Sequence, residues 1–247
     1  MTTHPDSGKQ ESRRPLQKMF ASVPPSYDIL NRALTLRLDQ AWRSKAADMC
    51  MENRPSRVLD LCCGTGDLAM HLRKRAGTAA KVYALDFSEP MLQLASGKAI
   101  SRRYDDVEFI HGDAAEMPFD DGYFDSIGIA FAFRNLTFNN PDTSRFLSEI
   151  LRVLKPGGLF VAVETSQPKN RLLRKLFHIY LKYVTAPFGG LVSGHRGAYK
   201  YLSHSAINYY MAPELTELLM TAGFKNVSFI PLLGGIAGIL KSEKQIS

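Results

Sequence analysis

An α/β fold with a mostly parallel sheet is predicted for this 247-residue chain, and three observations carry the prediction. Short apolar runs rich in β-branched and aromatic residues alternate with longer runs of helical period, the pattern of strands joined by crossover helices. A glycine-rich turn, Gly64-Thr65-Gly66, lies between the first such strand and the helix after it, where a backbone can approach a ligand closely. Two acids, Asp86 and Asp113, follow the next two strands. They fall at the carboxyl edge, where open α/β sheets hold ligands.

Taken in order, 1–17 is polar, contains Pro5 and Pro15, and reads as a mobile tail without the apolar core of a signal peptide. Tyr27 to Met49 has one broad apolar face (Ile29, Leu30, Ala33, Leu34, Leu38, Ala41, Trp42) and is expected to be helical. Strands follow at Arg57–Cys62, Lys81–Leu85, Val107–Ile110 and Phe124–Ala130, with helices at Asp67–Arg75, Glu89–Ile100 and Asp142–Leu154. The turn Pro156-Gly157-Gly158 leads into a fifth strand, Leu159–Glu164. A helix over Pro213–Ala222 is stopped by Gly223, and Val227–Leu232 with Ile236–Leu240 reads as a closing hairpin. This amounts to seven strands, five of them parallel.

The charge is unevenly placed. The net charge is +7, yet no Asp or Glu occurs from Thr165 through Pro213. That window holds seven bases, Lys169, Arg171, Arg174, Lys175, Lys182, Arg196 and Lys200, and the rest of the chain is balanced. Cys50, Cys62 and Cys63 form neither a disulfide framework nor a zinc spacing, so no metal site is expected and a reducing, cytoplasmic setting fits. Cys62 and Cys63 read as small buried side chains without a redox role. No apolar run is long enough to cross a membrane.

The glycine loop and its acids describe an adenosine site. Asp86 is placed to accept from a ribose diol and Asp113 to meet an adenine amine. Gly64-x-Gly66-x-x-Ala69 also fits a dinucleotide fingerprint. Asp67 at the helix N-terminus and Asp60 before the loop argue against a pyrophosphate, which they would repel. A sulfonium with an amino-acid tail suits those acids better, which favours S-adenosylmethionine; Asp67 also reads as a helix N-cap.

Asp60–Gly66, Asp86, Asp113-Ala114 and the Leu154–Gly158 turn resemble class I S-adenosylmethionine-dependent methyltransferases, a Rossmann-like fold. That resemblance implies strand order 3-2-1-4-5-7-6 with the seventh strand antiparallel. Further elements narrow it: Tyr27–Asn31 with Trp42-Arg43, Phe131–Asn135, Glu164–Pro168, Ala198–Ser205 and Ala222–Phe224. Together they are similar to the ubiquinone/menaquinone biosynthesis C-methyltransferase family, over roughly residues 20 to 242. Departures from its pattern are Thr165 and Gln167 for Phe and Lys, Ala132 and Phe133 for Gly and Leu, Arg37 for a Gly, and an acid replaced around His195-Arg196. They suggest changes near the acceptor and leave the cofactor residues intact.

On this resemblance, 18–247 is one methyltransferase domain that C-methylates a prenylated quinol ring, of a demethylmenaquinol or a ubiquinone precursor. The cofactor residues are Asp60, Gly64, Thr65, Gly66, Asp86, Asp113, Ala114 and Ala130. The resemblance places Arg134-Asn135 at the acceptor, Arg134 stabilising a developing phenolate electrostatically and Asn135 orienting a hydroxyl or water; a structural ion pair and a cap are the plainer alternatives. Tyr199 and Tyr201, with His195 and His204, are candidates for the acceptor pocket.

Over Arg171–Val184, one half of the helical wheel is apolar and the other holds only Arg171, Arg174, Lys175, His178 and Lys182. A core helix has an apolar half too, but the cationic opposite face suits an anionic membrane surface. The stretch 165–213 is thus expected to be an insertion that lids the acceptor and touches the membrane peripherally. No nucleic-acid partner is expected, and a homodimer stays open. The rival functions are methylation of another small molecule or lipid, and RNA methylation, for which the window lacks RNA-binding motifs.

Overall fold

The computed structural model describes residues 27–193 and 196–246. The expected tail at 1–17 and His195 lie outside the described residues.

A single sheet of seven strands has the order β3-β2-β1-β4-β5-β7-β6. Its strands are β1 Arg57–Leu61, β2 Lys81–Asp86, β3 Glu108–His111, β4 Phe124–Ala130, β5 Leu154–Thr165, β6 Phe224–Leu232 and β7 Ala237–Lys244. Strands β1 to β5 pair in parallel, and β7 runs antiparallel to both β5 and β6. Side chains alternate across β1: Leu59 and Leu61 face one core with Ile127 and Ile129, while Val58 faces the other with Val82 and Val161.

Helices close both faces. On one lie α2 Leu38–Cys50, α3 Asp67–Ala76 and α4 Glu89–Ser101, which bury Ala46, Ala47, Leu68, Leu72 and Ala99. On the other lie α5 Phe133–Thr137, α6 Thr143–Val153 and α10 Ala212–Ala222, which bury Phe133, Phe146, Ile150, Leu215 and Leu219. Parallel strands covered on both sides need near-continuous apolar sequence, which Phe124–Ala130 and Leu159–Val163 provide.

Four departures from the sequence reading have physical causes. The helical run from Tyr27 to Met49 is two helices, α1 Tyr27–Leu34 and α2, because Leu36 and Arg37 take φ of 52° and 63°. Arg37, where the family resemblance leads one to expect glycine, takes a left-handed backbone, which glycine adopts without strain. Strand β5 begins at Leu154, before the glycine turn, with a register shift between Phe124 and Ser126 of β4. The expected helix at Arg171 ends as an α-helix at Tyr180 (α7) and continues in a wider π-helical turn, Leu181–Thr185. The remaining window, read only for its charge, folds into α8 Ala186–Ser193 and α9 Arg196–Ile207. These two pack closely: a Cβ on Gly189 would stand 2.2 Å from Tyr199.

Candidate active site

At the carboxyl ends of β1, β2, β3 and β4 lies a cavity of about 430 Å³, within the range of small-ligand sites. Its lining changes character along its length. Near β1 to β3 it is formed by Asp60, Gly64, Thr65, Asp86, Asp113 and Ala114. Beyond Ala130 it is formed by Asn135, Phe138, Asn140, Tyr201 and His204.

The first half is built by backbone. The β1–α3 turn takes φ of 54° at Gly64 and 76° at Gly66. A Cβ on Gly64 would meet nothing within 4 Å, so its surface is open to a ligand. A Cβ on Gly66 would stand 2.9 Å from that of Ala95, so Gly66 lets α4 pack on the turn and does not line the cavity. Asp86 holds the turn: its carboxylate accepts from Gly64 N at 2.8 Å and Ser88 N at 2.9 Å. Burial raises the Asp86 carboxyl above its ordinary value, against those two N–H groups. Asp113 accepts from Ala115 N at 2.8 Å.

Asp60 and Asp67 carry less free charge than their sequence positions suggest. Asp60 is buried and accepts from Ala69 N at 2.8 Å. Burial pushes its carboxyl up to about 8, so it is neutral at pH 7. Asp67 pairs with Lys98 Nζ at 2.6 Å and Arg32 at 3.2 Å, and accepts from Gln40 at 2.8 Å. Burial would raise the Asp67 carboxyl, but Lys98, Arg43 and Arg32 override it and hold it well below the usual range. The repulsion of a phosphate expected from these two acids is therefore weaker than a count of acids implies. Asp28 of α1 joins the same cluster, pairing with Lys98 Nζ at 2.7 Å and accepting from the Thr65 hydroxyl at 2.7 Å. These contacts clip α1 onto the glycine turn. Periodicity gave no sign that Asp28, Arg32 and Lys98 meet the glycine turn, because the pairs that bring them there span 31 to 70 positions.

Cys62 and Cys63, expected to be buried, instead line the cavity. Cys62 takes φ of 53° and both are only partly covered. Burial raises both thiols well above their ordinary value, which disfavours the reactive thiolate.

The second half draws on α5 and α9. Asn135, Tyr201 and His204 line the cavity; Arg134 and Tyr199 do not. Arg134 is 5% exposed and Glu164 2%. Arg134 Nη1 pairs with Glu164 at 2.9 Å and also donates to Thr165 Oγ1, while Nε donates to Ser205 Oγ at 3.1 Å. One guanidinium thus ties α5, β5 and α9 together, the ion-pair alternative to direct contact with an acceptor. Tyr199 is buried against Gly189 of α8. Burial raises the Tyr201 hydroxyl above its ordinary value.

The substituted positions divide similarly. Ala132 lines the cavity, and Phe133 is buried with its ring 5.7 Å from that of Phe160. Gln167 donates to Ala206 O at 2.6 Å and lies 2.7 Å from His178 Nε2, so it anchors α7 and α9. Thr165 and Gln167 therefore secure the insertion and do not line the cavity. Sequence also passed over Arg43 as a site residue. It lines the cavity, pairs with Asp39, and lies 4.8 Å above the Phe131 ring.

The donor set fits S-adenosylmethionine: a glycine open at its Cβ, a buried carboxylate at the end of β2 for a diol, and further carboxyl groups nearby. Solved structures share the fold. A S-adenosylmethionine-dependent methyltransferase from Aquifex aeolicus superposes with TM-score 0.56 at 22% identity, covering 76% of this chain and 81% of its own. A putative methyltransferase from Bacillus halodurans superposes with TM-score 0.57 at 21% identity, covering 82% and 98%. Sequence relatives are nearer. The demethylmenaquinone methyltransferase of Thermus thermophilus is 41% identical over 90% of this chain and 97% of its own. That of Deinococcus radiodurans is 38% identical over 98% and 97%, and that of Staphylococcus carnosus 36% over 93% of each. The cofactor is S-adenosylmethionine. The sequence model of the ubiE/COQ5 methyltransferase family matches residues 7–244, and the chain belongs to that family.

Proposed function

We propose that this protein methylates a ring carbon of a prenylated naphthoquinol, converting a demethylmenaquinol to a menaquinol. One observation carries the reading: the carboxylate-lined half and the half formed by Asn135, Phe138, Tyr201 and His204 belong to one cavity, so two small molecules can meet inside it. The named relatives, matched over nearly their whole length, support the naphthoquinol over a benzoquinol.

Bound S-adenosylmethionine supplies a methyl group as an electrophile. Asp86 and Asp113 hold its nucleoside, with Gly64, Thr65, Ala114 and Ala130 forming the walls. The acceptor must present an electron-rich carbon, which a quinol provides when the neighbouring hydroxyl gives up its proton. The chain's part is to align that carbon, exclude water and take the proton. Asn135 and Tyr201 orient the hydroxyls, and His204, whose imidazole lines the cavity at the α9 side, takes the proton. Arg134 acts as a positioning residue: by fixing Glu164 and Ser205 it sets α5, which carries Asn135, against α9, which carries Tyr201 and His204.

A peripheral membrane contact completes the reading, because a prenylated quinol resides in the bilayer. Among the described residues no helix is long and apolar enough to cross a membrane. The insertion instead exposes Leu172, Leu176, Ile179, Tyr183, Phe188 and Leu191. The test is methyl transfer from labelled cofactor to demethylmenaquinol under reducing conditions, with co-sedimentation on vesicles. Turnover of another class of acceptor without turnover of demethylmenaquinol would overturn the assignment.

A further inference from the structure

The insertion carries a second concavity, of about 430 Å³, outside the active site. It lies along α7 and meets Ile207 at the end of α9. Five of its lining side chains are basic: Arg171, Arg174, Lys175, His178 and Lys182. No acid occurs between Thr165 and Pro213 to balance them. Among the described residues, none of the four cations forms an ion pair. Elsewhere this protein pairs its arginines readily, as at Arg73, Arg75, Arg145 and Arg152. Four unpaired cations along one groove repel one another, and an anion bound between them relieves that repulsion.

The same helix says which anion. Leu172, Leu176 and Ile179 fall within about 60° on a helical wheel, and Tyr183 follows in the π-helical turn. All four are exposed, Leu172 by 67% and Tyr183 by 64%. Arg171 and Lys175 lie about a quarter turn from the three leucine and isoleucine side chains on that wheel. The buried face, Phe177 and Leu181, occupies the third side. A free phosphate or a nucleic acid has no use for the apolar stripe, and an apolar protein surface has none for the cations. A phospholipid offers both, with its phosphate just above its acyl chains.

Resting on the membrane contact proposed above, we infer that the α7 groove is a built site for the phosphate of an anionic phospholipid headgroup, seated while the adjacent apolar stripe enters the acyl region. The contact is then a specific site and not a diffuse attraction of the protein's net charge. Binding also fixes the rotation of α7 at the surface. The Tyr180 hydroxyl on that helix donates to Leu34 O of α1 at 2.5 Å, so the orientation is passed to the helix clipped over the glycine turn.

The test uses the full chain with vesicles of phosphatidylcholine alone and with added phosphatidylglycerol. The parent is expected to prefer the anionic vesicles. Substituting Arg171→Gln, Arg174→Gln, Lys175→Gln and Lys182→Gln together should abolish that preference, by about fivefold for each cation removed. A control with the same charge change at exposed positions outside the insertion, Arg54→Gln, Lys74→Gln, Arg102→Gln and Arg103→Gln, should keep most of it. Cofactor affinity equal to the parent's shows that each variant is folded. Equal loss in both variants, or parent binding without anion preference, overturns the groove and leaves the membrane contact standing. Binding to neither vesicle overturns the membrane contact itself. Groove-dependent retention of an RNA oligonucleotide, or tight binding of inorganic phosphate with no preference for the anionic vesicles, overturns the lipid as occupant.

Discussion

Replacing Arg134 by methionine is expected to damage stability before it damages chemistry. Arg134 and Glu164 are both almost fully buried, 2.9 Å apart. At an effective dielectric of about 20, that separation corresponds to about 6 kcal/mol of gross attraction, most of it offset by desolvation of the two ions. Deleting the cation leaves the Glu164 carboxylate with Arg134 N at 3.1 Å, Thr165 N at 2.7 Å and the Thr165 hydroxyl at 2.9 Å. It also leaves Ser205 Oγ without this donor. Breaking a buried pair in this way costs about 3–5 kcal/mol. For a chain of this size that lowers the melting temperature by roughly 6–20 °C. The double substitution Arg134→Met with Glu164→Leu removes the orphaned charge and should recover most of the loss, short of the parent because Thr165 and Ser205 lose a partner. Thermal unfolding by circular dichroism reads the stability, and calorimetric titration reads the cofactor affinity. A single variant melting within about 2 °C of the parent, with methyl transfer abolished, would refute the positioning role and return Arg134 to direct contact with the acceptor.

Further outcomes follow from the same geometry. Asp86→Ala removes the acceptor for Gly64 N and Ser88 N, so cofactor affinity should fall at least tenfold in calorimetric titration, and an unchanged affinity would contradict its role. Burial holds Asp60 protonated up to about pH 8 in the folded chain. Between about pH 4, where an unfolded aspartate ionises, and pH 8 the native state therefore binds one more proton than the unfolded state, and this group's contribution to stability declines as pH rises. Asp60→Asn should flatten the pH dependence of denaturant midpoints over that window, and an unaltered profile would count against a neutral Asp60. Lys98→Met should unclip α1 from Asp28 and Asp67, raising hydrogen exchange in Tyr27–Leu34 while the exchange of β1 and β2 stays unchanged. His204→Gln should lower turnover at least tenfold with cofactor affinity retained; turnover equal to the parent's would exclude His204 as the proton acceptor.

What sequence could show here was local or periodic. The alternation of short apolar runs such as Arg57–Cys62 and Phe124–Ala130 with helical runs located the sheet, and the spacing from Gly64 to Asp86 located half of the cavity. The other half depends on pairings that no period records. Arg134 meets Glu164 across 30 positions and Ser205 across 71, so adjacency to Asn135 could not tell an ion pair from a contact with an acceptor. Gly66, with a motif position equal to that of Gly64, proved to serve helix packing, a distinction set by Ala95 of α4. The break at Leu36-Arg37 was hidden because left-handed leucine and arginine have no composition signal. The wheel over Arg171–Val184 separated charge from apolar surface, but only packing shows that Phe177 and Leu181 turn inward while Leu172 and Tyr183 stay outside.

The most direct test of the whole account is transfer of the labelled methyl group from S-adenosylmethionine by the purified full chain, in anionic vesicles with dithionite. Demethylmenaquinol and a demethylated ubiquinol precursor are offered side by side. The account predicts label in the naphthoquinol ring at a rate well above that for the benzoquinol. Binding of the cofactor with no label in either ring would contradict it.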